Sequence, residues 1–246
     1  MNINLRKITR LIALIALIVS VGVLIFYAVD DLRSKRTDDK LKGLKDAQAS
    51  SSLPDILPEY EALYAENPDT IGWLKIDGTA IDYVVMYAPD EIEKYLRTDF
   101  YGNHATGGCL FVDEYCDIDT SDNLIIYGHN MHNGTMFADL LKYASEDFGL
   151  EHSTIHFDTI YEKHDYELVA AIYTDLDGDE ETGFRYYEYV GANDEESFEK
   201  YCDFIEKNRL YDTGVTLRPG DRILTLSTCS YHSDDGRFIL VARRLD

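Results

Sequence analysis

The chain has 246 residues, 45% of them hydrophobic and 12% aromatic, which is enough to bury a sizeable core and too apolar for a disordered polymer. Its formal net charge of −23 is unevenly placed: residues 1–49 carry a net +4 and the remainder a net −27. A body this acidic repels nucleic-acid phosphates, so no nucleic acid is expected as a partner. The same field suits a basic partner or a substrate with a free amine, although a solvated acidic surface accounts for most of the charge.

Leu11 to Val29 is a run of 19 residues without a charge, preceded by Arg6, Lys7 and Arg10. That length spans a bilayer as a helix and exceeds the apolar region of an ordinary signal peptide. The expectation is an uncleaved signal anchor over residues 11–29. The basic residues 1–10 would lie in the cytoplasm and the rest outside, by the positive-inside rule. Arg33, Lys35 and Arg36 beyond the span reduce the asymmetry, so orientation rests on the three leading bases. A cleaved signal peptide is the alternative. Residues 30–52 read as a polar stalk, and a folded domain is expected over residues 53–246.

Within that domain a short helix is expected near Pro58, with Leu57, Tyr60, Leu63 and Tyr64 on its apolar face, ending at Asn67-Pro68-Asp69. Eight β-rich runs follow: 71–76, 80–86, 108–113, 123–127, 154–158, 166–174, 222–228 and 237–244. Asp77-Gly78 marks a hairpin between the first two. Eight strands without regularly alternating helices predict an antiparallel or mixed barrel or sandwich. Two helices interrupt them. One covers 135–143 and presents Phe137, Leu140 and Leu141. The longer covers 193–209, opens on a capping box of Asn193 with Glu196, and buries Phe198, Tyr201, Cys202 and Ile205.

Cys229 stands where the run Ile223–Leu226 gives way to polar Ser227, Thr228 and Ser230, so it is held by a strand yet open to solvent. A thiol there is a candidate nucleophile, because the thiolate attacks carbonyls and a neighbouring cation favours it. If runs 222–228 and 237–244 pair as a hairpin, Arg237 faces Cys229 across the loop 230–236. Arg243, Arg222 and Arg218 then fall at the far end. His129 follows the strand-like 124–127 and Gly128. His232 is its rival, but lies only three residues from Cys229 and needs a tight turn to reach the sulfur, so His129 is favoured. Cys109, Cys116 and Cys202 allow at most one bridge among themselves and serve equally as buried thiols. The acidic stretch Asp175–Asp179 has its glycine in the wrong place for a calcium loop and reads as an acidic turn, with weak cation binding left open.

Thr225-Leu-Ser-Thr-Cys229 with Arg237, and Tyr127-Gly-His129-Asn upstream, resembles the sortases. Asn67-Pro-Asp-Thr-Ile-Gly-Trp73, Ile81-Asp-Tyr83, Asp99-Phe-Tyr-Gly102 and the long helix before the cysteine strand are similar to class B of that family. Val84 and Cys109 depart from it, standing where Pro and Ser or Thr are usual. The resemblance implies a mainly β fold with added helices: an eight-stranded β-barrel, an N-terminal helix and a longer helix before the last two strands. It implies a cysteine transpeptidase at the outer face of a Gram-positive membrane, in which Cys229 attacks a C-terminal sorting signal of a secreted protein. His129 would exchange protons, Arg237 would stabilise the oxyanion, and Ser227, Thr228 and Ser230 would be substrate contacts by their position. The acceptor would be an amine of a peptidoglycan precursor or a pilin, without metal or organic cofactor. Unperturbed thiol and imidazole groups are both mostly neutral near pH 7, so slow turnover is expected. An extracellular cysteine peptidase and a non-catalytic β-rich ectodomain are the rival readings.

Overall fold

In the computed structural model, residues 2–46, 56–178, 183–191 and 195–245 are described. The chain divides into two compact units, Met1–Lys40 and Leu41–Asp246. A single helix, α1 (Asn2–Asp46), accounts for the described part of the first unit and supplies the opening residues of the second. By length and composition α1 is apolar enough to cross a membrane. The expected stalk is thus helical as far as Asp46, while its residues 47–52 and the expected domain start at Leu53 lie outside the described residues.

The eight β-rich runs all form strands: β1 (Thr70–Lys75), β2 (Asp82–Met86), β3 (Leu110–Val112), β4 (Asn123–Tyr127), β5 (Thr154–Thr159), β6 (Asp165–Asp175), β7 (Ile223–Cys229) and β8 (Gly236–Arg244). They close into a barrel in the order β1-β2-β3-β4-β7-β8-β6-β5. The β2–β3 and β4–β7 pairs are parallel and the others antiparallel, so the barrel is mixed. Closure leaves no open edge, which removes the usual site of strand-to-strand aggregation. The Asp77-Gly78 turn joins antiparallel β1 and β2, with Gly78 at φ +79°, a conformation that glycine adopts without steric cost.

Alternation along the strands sorts side chains between the barrel interior and an outer layer. Leu224 and Leu226 of β7 and Phe238 and Leu240 of β8 point inward with Leu110, Ile126 and Phe157. Ile223, Ile239 and Val241 point outward and are covered by α4 (Glu195–Asn208) through Phe198, Tyr201, Phe204 and Ile205. The helix expected from Asn193 therefore exists. Phe204 is buried in it, Cys202 is only half-buried, and Asn193 lies outside the described residues. A third apolar cluster lies over β1 and β2, where Leu41, Tyr60 and Leu63 cover Trp73, Val84 and Met86. The Lys45 ammonium sits 4.5 Å from the Trp73 ring centroid, with burial lowering its pKa against the pull of Asp158 and Asp82.

Two helical expectations shift. The helix near Pro58 begins later, as α2 (Glu61–Glu66). The 135–143 helix is a 3-10 segment, Ala138–Ala144, followed by α3 (Glu146–Glu151). The cause is spacing: Phe137, Leu140 and Tyr143 are all fully buried and lie three apart, which aligns them on a helix of three residues per turn. Leu141 is only partly buried.

Candidate active site

The β7–β8 ladder sets Cys229 directly opposite Arg237, with Ile223 opposite Arg243 at the other end. Residues paired in this way project from the same face, so the Cys229 and Arg237 side chains leave the sheet on one side. On the other side of β7, the parallel partner β4 pairs Tyr127 with Ser227. Gly128 continues the ladder by donating its N–H to Ser227 O at 3.1 Å, which brings His129 level with Cys229. A side chain at Gly128 would place its Cβ 2.5 Å from Leu110 Cδ2 and 2.7 Å from Phe137 Cδ2, so any other residue there requires these two core side chains to shift.

Cys229, His129 and Arg237 line one cavity of about 400 Å³. Ile92, Leu96, Phe111, Tyr127, Leu176 and Tyr187 give it an apolar wall, while Glu93, Asp113 and Glu114 add carboxylates. Asp113 accepts from the Tyr127 hydroxyl at 2.8 Å. Burial, then Asp113 and Glu93, raises the pKa of Glu114. Ser227 and Thr228 line the cavity but Ser230 does not: its N–H donates to Gly236 O and its hydroxyl meets His232 Nδ1 at 3.0 Å. His232 packs on Tyr173 and does not line the cavity either. A second cavity of about 440 Å³ contains Arg222 and Arg244 at the opposite end of β7 and β8, and no cysteine lines it.

The imidazole of His129 is half-buried, and its Nε2 lies 2.9 Å from Leu96 O. A carbonyl only accepts, so Nε2 carries a proton and Nδ1 of the neutral ring keeps the basic lone pair. Burial lowers the His129 pKa below 6.5, opposed by the Leu96 bond and reinforced by Arg97. The ring is neutral at pH 7. The native state then binds fewer protons than the unfolded state once pH falls through 6.5, so stability drops on acidification through that range. NMR titration of the His129 ring is expected to give a midpoint below 6.5; a midpoint at or above it contradicts this environment.

Arg237 Nη1 donates to the backbone oxygens of Gly236 at 3.0 Å and Asp235 at 3.4 Å. Among the described residues no carboxylate lies within ion-pair distance of it. Behind β7, Tyr186 donates to or accepts from Ser227 Oγ at 2.8 Å, and Tyr201 meets Thr225 Oγ1 at 3.1 Å. Burial pushes the Tyr186 hydroxyl up to about 12. These two buried bonds are invisible to sequence reading because they join segments some 24 to 41 positions apart. The four cysteines are unbridged; burial raises Cys116 to about 12 and Cys202 to about 11, which keeps both as thiols at neutral pH.

A closed mixed barrel presenting a cysteine, a histidine and an arginine at one mouth defines a cysteine enzyme built for acyl transfer. The sortase domain family matches residues 74–245. Sortase B of Listeria monocytogenes is 32% identical over 210 residues, covering 82% of this chain and 80% of that protein. Among solved structures, a Staphylococcus aureus sortase B–substrate complex superposes with a TM-score of 0.76 at 27% identity, covering 89% of this chain and 99% of that one. Sortase B from B. anthracis superposes with a TM-score of 0.76 at 25% identity, covering 88% and 98%. The chain belongs to the sortase family, in class B, and is a cysteine transpeptidase.

Proposed function

We propose that the enzyme cleaves the C-terminal sorting signal of secreted surface proteins and joins them to an amine of a cell-wall precursor. The observation that carries this reading is the pairing of Cys229 with Arg237 across β7 and β8, in one cavity with His129. The Cys229 thiol passes its proton to the free Nδ1 of His129 as the sulfur forms an S–C bond to a backbone carbonyl of the signal, and the adjoining C–N bond breaks as His129 delivers that proton to the leaving amine. The incoming amine then gives its proton to His129, forms a new amide and releases the thiolate. Arg237 offers N–H donors to the oxyanion in both tetrahedral states. The apolar helix over residues 11–29 is the membrane anchor in this reading, with the barrel on the outer face of a Gram-positive membrane.

The test incubates the full chain in detergent with fluorogenic sorting peptides, with and without an amine acceptor. The expected results are a ligated product that appears only with the acceptor and a peptide mass adduct on Cys229. Cleavage without any acceptor-dependent product would make the enzyme a peptidase. No cleavage of any sorting peptide would end the reading altogether.

A further inference from the structure

The nucleophile and its acid–base partner both sit where regular pairing stops. Cys229 is the last residue of β7, and His129 lies two residues beyond the end of β4. Past them both chains leave the barrel as loops, the parts of a fold that open most easily. The last backbone bond along this seam is the one from Gly128 N–H to Ser227 O.

Two side chains then cross the seam in opposite directions. Thr228 Oγ1 donates to Gly128 O at 2.7 Å, and Asn130 Nδ2 donates to Cys229 O at 3.2 Å. The first bond runs from the residue before Cys229 to the residue before His129. The second runs from the residue after His129 to the carbonyl of Cys229 itself. His129 is therefore bracketed on both sides by bonds to the cysteine strand. Asn130 is itself steadied by a bridge to Met136, and Phe137 N–H donates to His129 O at 2.9 Å.

We propose that Thr228 and Asn130 form a reciprocal buckle, as positioning residues that hold His129 at a fixed separation from Cys229. The single Thr228 hydroxyl proton is committed to Gly128 O, so as a donor it fixes the seam. A displacement of about 1 Å between reacting groups costs on the order of a hundredfold in rate, which is the scale of benefit such a buckle provides.

This inference rests on the reading of Cys229 as nucleophile and His129 as its proton partner. The full chain in detergent is assayed on a sorting peptide as Thr228→Val, Thr228→Ser, Asn130→Ala and Asn130→Asp, with kcat normalised to the folded fraction from thermal melts. Thr228→Val, Asn130→Ala and Asn130→Asp are each expected to lower kcat by about tenfold or more, with KM within about twofold. Thr228→Ser restores the donor and keeps most of kcat. Asn130→Asp keeps the shape but has no N–H for Cys229 O, so an asparagine that merely fills space would tolerate it. The Thr228→Val/Asn130→Ala double variant is expected to lose little more than the worse single variant, since both bonds hold one seam. Fully multiplicative losses, a raised KM at unchanged kcat, or kcat within twofold of the parent would each overturn the buckle. If the parent cleaves no sorting peptide, the reading fails and the inference with it. If the parent cleaves in a Cys229-dependent way and the variants match it, only the inference fails.

Discussion

Cys229→Ala is expected to abolish peptide cleavage and transfer, leaving no turnover above the uncatalysed reaction. The loss is total because the S–C bond to the substrate is the intermediate itself, and alanine offers no atom to form it. No other cysteine can substitute. Cys109 and Cys116 are buried, and Cys202 is half-buried on α4 in a different part of the domain. The melting temperature should change little, since Cys229 is half-buried at a strand end and its Sγ fills no core position. The measurement is steady-state cleavage of a fluorogenic sorting peptide alongside a thermal melt. Retained activity in a folded Cys229→Ala chain would remove Cys229 from the chemistry.

Arg237→Ala is expected to lower kcat by about two to three orders of magnitude, the usual cost of losing an oxyanion donor. Arg237 is paired with Cys229 across a β ladder, so its backbone placement is rigid. Its charge is not consumed by a carboxylate among the described residues. Arg237→Lys should recover only part of the loss, because an ammonium carries the charge but not the planar fork of N–H donors. Kinetics on the same peptide decide it: a raised KM with unchanged kcat would make Arg237 a binding residue alone.

Much of the local structure was legible in the residues. All eight strands fall within a few positions of their β-branched and aromatic runs, because half-buried alternation is a strong local signal. The opposition of Cys229 and Arg237 was legible too, since a seven-residue loop between two such runs leaves an antiparallel hairpin as the simple pairing. The 3-10 geometry of residues 138–144 was missed. Apolar spacings of three and four are both present there, and only the burial of Phe137, Leu140 and Tyr143 selects three.

By itself, then, the sequence determined the strands, the apolar span of α1, the Cys–Arg hairpin and the acidic character of the body. Tertiary structure alone decided that β4 lies parallel to β7, and hence that His129 stands beside Cys229 from 100 positions away. Parallel neighbours share no turn, so nothing local records who pairs with whom; packing across the closed barrel makes that choice. The same is true of the Leu96 carbonyl on His129 and of the Thr228 and Asn130 bonds across the seam. Each joins groups that become neighbours only once the barrel has closed.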